Sequence, residues 1–388
     1  MANSSQASAM STEAAVQQRY SQGAQAREEA LCCPVQYNTE YLKVIPQEIL
    51  ERDYGCGDPS AYLQPGETVL DLGCGAGKIC FIASQVVGSS GQVIGIDCNA
   101  EMLGLANQYR DEVAERIGHR NVYFKTGIIQ DLALDLDLLA EEMQQNPIKS
   151  QSDWLKLRQI EDQLRKERPL IPSNSIDCVV SNCVLNLVRN EDRQQLLGEI
   201  FRVLKPGGRV VISDIVSDEE IPPHLQDDPE LWSGCLSGAY REDLFPRAFE
   251  EAGFYGISLL NRQVEPWQTI ENIEFRSLTV QAYKPEEVPN FERMQTVIYR
   301  GPFQQVQDEE GRVFPRGVRM AVGDATFRRL QQPPYAEYFE FLEPAEPFAE
   351  QHVQPFSHPY PRPAQLTKMA KAPLPIANNC CDSDGCCC

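Results

Sequence analysis

The stretch VLDLGCGAGK, residues 69–78, constrains the fold most strongly because an apolar strand runs directly into closely spaced glycines. Gly73, Gly75 and Gly77 allow a tight turn, and the apolar residues that follow predict a helix. Backbone N–H groups at the beginning of such a helix can approach a ligand closely. The stretch therefore predicts a strand–turn–helix unit with a ligand site at the carboxyl end of the strand.

Strands and helices continue to alternate after this unit. Together with the strand at 68–73, the pattern predicts a total of seven strands, the others being 92–97, 121–127, 176–182, 209–216 and a closing pair within 255–284. Strands separated by helices are typical of an α/β fold with a doubly wound, mostly parallel sheet. We therefore expect a seven-stranded sheet with helices on both faces.

Changes in composition divide the chain into four parts. The α/β domain is expected over residues 63–284 and contains a charged helical insertion at about 132–172. Residues 1–62 predict an N-terminal helical segment, and residues 285–335 a small β-rich module. Residues 336–388 are rich in proline and end in clustered cysteines, which predicts a flexible, disordered tail.

The charge of the chain excludes two classes of partner. A formal net charge of -21 would repel nucleic-acid phosphates and gains nothing at an anionic membrane surface. No apolar run approaches the ~20 residues that span a bilayer, and the N-terminus lacks the features of a signal peptide. We expect a cytoplasmic protein that works as a monomer.

Two carboxylates accompany the glycine loop. Asp71 precedes the loop, and Asp97 ends the next strand, where a carboxylate can bond both ribose hydroxyls of a nucleotide. The combination of D-x-G-x-G-x-G with the later GID resembles class I S-adenosylmethionine-dependent methyltransferases, and so implies a Rossmann-like fold with S-adenosylmethionine as cofactor. A dinucleotide cofactor, or a turn without a ligand, are the alternatives.

This resemblance also implies which residues surround the cofactor. Asp71 would approach the methionine ammonium, and the strand end at 126–129 would border the adenine. Asn99 is expected to cap the helix that follows the second strand. The complete expected set is Asp71, Gly73, Cys74, Gly75, Gly77, Asp97, Asn99, Met102, Gly127, Ile128 and Asn182.

The chain has 14 cysteines, which in the cytosol indicate metal-binding or redox thiols more often than disulfides. Buried free cysteines frequently act as small apolar side chains, which is our interpretation of Cys80 and Cys178. Cys183 differs because it follows polar Ser-Asn at a strand end, and Cys235 differs because it lies in a loop. Two glycines flank Cys56 and favour an exposed, mobile position.

These three cysteines lie in motifs that resemble another family pattern. The segments YGCG (54–57), VVSNCVLNLV (179–188) and LWSGCLSGA (231–239) occur in the order found in arsenite S-adenosylmethionine methyltransferases. The similarity extends over roughly residues 20–284 and is weaker in the C-terminal module. It implies an enzyme that methylates arsenite and methylated arsenicals.

The resemblance assigns roles to individual cysteines. Cys183 and Cys235 correspond to a pair of thiolates that bind trivalent arsenic, and Cys56 corresponds to the third. Cys32 or Cys33 corresponds to the redox partner of Cys56, and the doublet leaves the choice open. The implied disulfide would be reset by a thiol reductant such as thioredoxin or glutathione.

The physical chemistry agrees with that reading. Trivalent arsenic is soft and prefers thiolates, and its lone pair is a nucleophile without a proton to remove, so proximity and alignment would supply most of the rate.

Two alternative functions are also compatible with parts of the sequence. One is a class I C- or O-methyltransferase of an organic small molecule, and the other is a thiol-rich metalloid-binding protein without turnover.

Overall fold

The computed structural model of the chain describes residues 12–28, 35–286, 288–344 and 354–367. These residues belong to two units, with the boundary between residues 285 and 286. The described helices of the first unit are α1 (Thr12–Gln25), α2 (Thr39–Leu42), α3 (Gln47–Glu51), α4 (Lys78–Val87), α5 (Ala100–Ile117), α6 (Leu136–Gln145), α7 (Gln151–Glu167), α8 (Arg193–Val203), α9 (Pro223–Gln226), α10 (Pro229–Ser233) and α11 (Leu244–Glu251).

The strands of the first unit form one sheet. They are β1 (Thr68–Leu72), β2 (Gln92–Asp97), β3 (Val122–Thr126), β4 (Ile176–Asn182), β5 (Leu204–Ser217), β6 (Tyr240–Arg241), β7 (Tyr255–Arg262), β8 (Gln268–Ile270) and β9 (Ile273–Tyr283). Seven of them lie side by side in the order β3-β2-β1-β4-β5-β9-β7, while β6 pairs with β5 and β8 pairs with β9.

This arrangement confirms the predicted seven-stranded, mostly parallel sheet and adds two short strands to it. The five neighbouring strands β3, β2, β1, β4 and β5 pair in parallel, whereas β9 is antiparallel to both β5 and β7. Their carboxyl ends therefore meet at one edge of the sheet, which is where ligands bind in open α/β folds.

Apolar side chains cover both faces of the sheet in two clusters. One cluster joins β1, β4 and β5 to α8 and α11, and it includes the fully buried Leu196 and Phe249. The other joins β1 and β2 to α4 and α5, and it includes Phe81 and Met102. The strands at the centre of the sheet are buried on both sides, which explains their nearly continuous apolar sequences.

The insertion at about 132–172 forms α6 and α7, as its charged helical pattern predicts. An ion pair between Arg165 and Asp131 attaches α7 to the segment that precedes α6, with 3.0 Å between Nε and Oδ2. Trp154 and Leu155 are exposed on α7. In the described part of the chain, no helix is long and apolar enough to cross a membrane.

The second unit is β-rich, as predicted. Its strands are β10 (Phe291–Glu292), β11 (Thr296–Tyr299), β12 (Gln305–Gln307), β13 (Val313–Pro315), β14 (Arg319–Ala321), β15 (Phe339–Leu342), β16 (Gln354–Pro355) and β17 (Tyr360–Pro361), and its helix is α12 (Asp324–Leu330). A four-stranded antiparallel sheet has the order β15-β11-β14-β17.

Strand β15 lies beyond residue 335, in sequence that we assigned to the tail. It pairs with β11 along four residues, and Phe339 is buried in the core of the unit. The alternation of Phe339 and Phe341 explains the pairing, because it presents aromatic side chains to a core. The proline-rich composition of the surrounding segment obscures this short pattern.

Candidate functional site

A cavity of about 410 Å³ opens at the carboxyl ends of the parallel strands. Of the expected cofactor residues it is lined by Asp71, Gly73, Cys74, Gly75, Asp97, Asn99, Met102, Gly127, Ile128 and Asn182. Gly77 is the exception. It precedes α4 with a φ of +87°, and a Cβ there would approach Phe124 to 2.7 Å, so this glycine allows close packing of helix on strand.

The glycine loop is positioned by backbone conformation and by one carboxylate. Gly73 and Gly75 have φ values of +68° and +51°, a region that favours glycine. The N–H of Gly75 donates to Asp97 Oδ2 over 2.8 Å, while Asp97 Oδ1 accepts from the N–H of Asn99 over 2.8 Å. The same carboxylate thus connects the loop to the beginning of α5.

Asn99 is the N-cap of α5, as predicted. Its Oδ1 accepts the N–H of Met102 over 3.1 Å, which satisfies one of the free donors of the first helical turn. Its Nδ2 donates to Ser21 Oγ of α1 over 3.1 Å. This bond brings the N-terminal helix to the cavity, where Val16, Gln17 and Tyr20 contribute lining that the sequence did not reveal.

Asp71 is buried beneath the glycine loop. Burial raises the pKa of this carboxyl to about 7, against the hydrogen bond from Cys80, and the charges of Asp53 and Asp97 raise it further. Cys80 Sγ donates to Asp71 Oδ2 over 3.2 Å. At neutral pH this carboxyl is therefore divided between its two protonation states, and a bound cation would favour the carboxylate.

Three cysteines from separate segments converge beside this cavity. Cys56, Cys183 and Cys235 belong to one buried cluster. Cys56 Sγ, Cys183 Sγ and a carboxylate oxygen of Asp214 lie within 4.8 Å of one another. Cys235 Sγ donates to the backbone carbonyl of Cys183 over 3.1 Å, which brings the third thiol to the cluster. Cys183 lines the cavity itself, so the cluster adjoins the space where the cofactor residues meet.

The backbone at two of these cysteines is strained. Cys183 and Cys235 have φ values of +64° and +62°, which residues with a Cβ adopt rarely and at a cost of about 1–3 kcal/mol. Such strain occurs preferentially at functional sites. In Cys183 it turns the chain at the end of β4, where the Cys183 N–H still donates to the carbonyl of Ser213 over 2.8 Å.

Cys56 is buried, with 3% of its surface exposed, so the expectation of an exposed position is wrong. The flanking glycines serve close packing instead. A Cβ at Gly55 would lie 2.1 Å from Asn182 Nδ2, and a Cβ at Gly57 would lie 2.5 Å from Ser213. Glycine at both positions lets the loop press against the ends of β4 and β5.

Hydrogen bonds between thiols and burial shift the pKa values of Cys183 and Cys235. The hydrogen bond from Cys235 lowers the pKa of Cys183, but the hydrogen bond with Cys56 and burial raise it, and the resulting pKa lies well above its usual value. The hydrogen bond with Cys183 and burial raise the pKa of Cys235 in the same way. Tyr20 approaches Cys235 Sγ with its hydroxyl oxygen at 3.7 Å.

Asp214 is the residue of this cluster that sequence reasoning missed. It is fully buried in β5, and its Oδ2 accepts the backbone N–H of Leu185 over 2.9 Å. Burial raises the pKa of Asp214 to about 6, although hydrogen bonds from the N–H groups of Ile215, Asn186 and Leu185 lower it. A carboxylate within an otherwise apolar strand is the signal that could have identified it.

The remaining cysteine predictions have different outcomes. Cys80 and Cys178 are fully buried in an apolar cluster, in agreement with their interpretation as core residues. Cys32 and Cys33 lie outside the described residues. All seven cysteines in the described ranges are free thiols.

Comparisons with known proteins find similar domains and similar chains. A methyltransferase domain family matches residues 63–253, and a domain family of unknown function matches residues 286–372. An arsenite methyltransferase of Aquipseudomonas alcaligenes is 32% identical over 80% of this chain and 84% of its own length. The arsenite methyltransferase of Mus musculus is 30% identical over 79% of this chain and 74% of its own length.

A solved structure extends the comparison to the fold. The arsenic(III) S-adenosylmethionine methyltransferase of Chlamydomonas reinhardtii is similar with a TM-score of 0.53 and 24% identity, over 83% of this chain and 99% of that chain. At this identity the similarity concerns the fold, which contains the same class of sheet.

Proposed function

This chain belongs to the arsenite methyltransferase family, and from that premise we propose that it transfers methyl groups from S-adenosylmethionine to trivalent arsenic bound by Cys56, Cys183 and Cys235. The observation that carries the proposal is the convergence of these three buried thiols beside the cavity at the strand ends. Trivalent arsenic forms three bonds to soft ligands, and a cluster of thiols meets this requirement.

The cavity fits the cofactor that a methyltransferase uses. Asp97 ends β2, where a carboxylate can accept both ribose hydroxyls, and Asp71 lies beneath the glycine loop, where it can receive an ammonium group. Gly127 and Ile128 line the cavity near its adenine end in this assignment. When bound, S-adenosylmethionine supplies an electrophilic methyl group on a sulfonium.

Arsenite can enter the thiol cluster without a general base. As each As–S bond forms, one As–O bond breaks, and the thiol proton leaves with the hydroxide as water. Three such exchanges convert arsenous acid and three thiols into a neutral trithiolate and three waters. A neutral product suits a fully buried site, because an uncompensated charge there is costly. The raised pKa values of Cys183 and Cys235 are compatible with this exchange.

The bound arsenic needs orientation more than activation. Its lone pair is already nucleophilic, so the task of the cluster is to hold it next to the cavity. Cys183 is suited to this task because its sulfur belongs to the cluster while the residue lines the cavity. Orientation of this kind can supply roughly 7–11 kcal/mol of barrier reduction.

Methylation oxidises arsenic from the trivalent to the pentavalent state, and the proposal includes its reduction. The thiol of Cys32 or Cys33 would attack the Cys56 sulfur, so that a disulfide forms while the As–S bond of Cys56 breaks and the thiol proton is released. The electron pair of the broken As–S bond would stay on arsenic and return it to the trivalent state. A thiol reductant, thioredoxin or glutathione, would then reduce the disulfide by exchange. The family resemblance supports this step.

A methyltransferase of an organic small molecule is the second candidate. It accounts for the cavity and its carboxylates equally well. It does not account for three thiols from distant segments in one cluster, nor for the left-handed backbone at Cys183 and Cys235. The arsenic reaction uses the thiol cluster, so we favour it.

The test is direct. Purified protein is incubated with arsenite, S-adenosylmethionine and a thiol reductant, and the arsenic species are separated by chromatography with elemental detection. We expect methylated arsenicals and an equivalent amount of S-adenosylhomocysteine. Unchanged arsenite, in protein that binds S-adenosylmethionine by calorimetry, would transfer the proposal to an organic acceptor.

A further inference from the structure

Two asparagines flank Cys183 in the sequence, at positions 182 and 186, and each holds a loop that carries another thiol. Asn182 Oδ1 accepts the backbone N–H groups of Cys56 and Gly57 over 2.9 and 3.0 Å. Its Nδ2 donates to the carbonyl of Gly57 over 2.7 Å. Both ends of this amide are therefore bonded to the loop of Cys56.

The second asparagine holds the loop of Cys235. Asn186 is fully buried, and its Nδ2 donates to the carbonyls of Ile215 over 2.7 Å and Cys235 over 3.2 Å. It thus links β5 to a residue whose backbone has a φ of +62°. A strained turn of this kind persists only where surrounding contacts hold it.

The two amides act on different members of the cluster. One peptide segment, residues 182–186, supplies Cys183 itself, the contact that holds Cys56 and the contact that holds Cys235. A thiol that rotates or shifts by about an ångström can no longer bind the same arsenic atom as the other two thiols. The hydrogen bonds from the Asn182 and Asn186 amides to the backbone therefore determine whether three sulfurs or two can reach one arsenic.

We propose that Asn182 and Asn186 are positioning residues, with Asn182 controlling the third thiolate and Asn186 controlling one of the obligatory two. The inference rests on the proposed function and deepens it, because it identifies residues that decide which arsenicals are accepted. Arsenite needs three thiolates, whereas a singly methylated trivalent arsenical needs two. Asn182 is therefore needed mainly for methylation of arsenite, whereas Asn186 is needed for methylation of both substrates. Asn182 also lines the cavity, so its place among the expected cofactor residues stays a prediction.

The first test is Asn182→Ala. We expect the rate with arsenite to fall by about tenfold or more, while the rate with the singly methylated trivalent arsenical changes less than about threefold. X-ray absorption of arsenite-loaded protein should show the sulfur neighbours of arsenic fall from three to two. Asn182→Asp is the milder second variant, since it keeps the acceptor for both N–H groups but loses the donor.

The second test is Asn186→Ala, which should lower the rates with both arsenicals by a similar factor of about ten or more. The comparison between the two variants is informative because a general loss of stability would not separate the two substrates. If both variants affected both substrates equally, the proposed division of labour would be wrong.

Asn121→Ala is the matched control. Asn121 is also buried and donates to two backbone carbonyls, those of Gly88 over 2.8 Å and Gly91 over 3.2 Å. It precedes β3, however, and so lies at the opposite end of the parallel strands. We expect the control to lower the melting temperature without changing the ratio of the two substrate rates.

One measurement is independent of arsenic. Release of the Cys56 loop should accelerate alkylation of Cys56 by iodoacetamide in Asn182→Ala by about tenfold or more, measured by mass spectrometry with Cys235 as internal reference. Wild-type alkylation in this variant, together with a weakened affinity for S-adenosylmethionine, would overturn the proposal and assign Asn182 to the cofactor site. If the wild-type protein methylates neither arsenical, the proposed function fails, while alkylation still reports whether Asn182 holds the loop.

Discussion

The two sides of the cavity are built in different ways. Most of the cofactor side comes from one continuous part of the chain, in which β1 and β2 place Asp71 and Asp97 at strand ends and Asn99 begins α5, while α1 and the segment after β3 add to the lining. The thiol side comes from three separate loops, and Cys183 and Cys235 are 52 residues apart.

This difference determines what holds each side in place. Short-range features shape the cofactor side, namely left-handed glycines and the cap of α5 by Asn99. Long-range bonds shape the thiol side, such as the bond from the Cys56 N–H to Asn182. We therefore expect substitutions on the two sides to have separable effects on cofactor binding and on arsenic binding.

The largest effect is expected for Cys183→Ser. It removes the thiol that contacts both other thiols and lines the cavity, so methylation of every arsenical should fall by about a thousandfold or more. Affinity for S-adenosylmethionine, measured by calorimetry, should stay within about twofold. Methylation at the wild-type rate would show that the thiol side is assigned incorrectly.

Cys178→Ala is the control for that variant because Cys178 lies on β4, the strand that Cys183 directly follows, and is fully buried. It belongs to an apolar cluster on the face of the sheet. We expect it to lower the free energy of unfolding by about 1–2 kcal/mol and to leave the rate of methylation unchanged. A loss of activity without a loss of stability would contradict the distinction between core and cluster thiols.

Asp97→Asn should have the next largest effect, which we expect on cofactor binding rather than on arsenic binding. Removal of the carboxylate that can accept the ribose hydroxyls should raise the dissociation constant of S-adenosylmethionine by about 10- to 100-fold. The number of sulfur neighbours around bound arsenite, measured by X-ray absorption, should not change. A change in arsenic coordination would mean that the two sides are coupled.

Cys56→Ser tests a smaller effect within the thiol side. The rate with arsenite should fall by about tenfold or more relative to the rate with the singly methylated trivalent arsenical, because the latter needs one thiolate fewer. Both rates are measured in the same preparation at saturating cofactor. Equal losses would assign Cys56 to all methylation steps.

The last test measures stability on the cofactor side, in the absence of ligand. Because the pKa of Asp71 is raised to about 7, the protonated form favours folding, and this contribution is lost as the pH rises from about 4 to about 7. Asp71→Asn mimics the protonated form. It should increase the free energy of unfolding at pH 8 by on the order of 2–4 kcal/mol and make no difference below about pH 4.

Denaturant titration without ligand at pH 4, 6 and 8 provides the measurement. A difference between variant and wild type that is independent of pH would show that Asp71 is not protonated in the folded protein.

Local patterns predicted a large part of the molecule. Apolar runs separated by helices predicted the sheet, and Asn99 signalled its helix because capping needs only neighbouring residues. The glycine loop and Asp97 were found for the same reason. Strand β15 was missed because its four residues lie within sequence whose composition resembles a linker.

The amino-acid sequence by itself determined the order of the strands along the chain, the glycine loop and the identity of the cysteines. Only the tertiary structure decided that Cys56 is buried, that Asp214 joins the thiols and that Asn182 is bonded to the Cys56 loop. The physical reason is how far apart the interacting residues lie along the chain. Capping and turns depend on residues a few positions apart, whereas a ligand cluster depends on distances between segments that meet only when the sheet has formed.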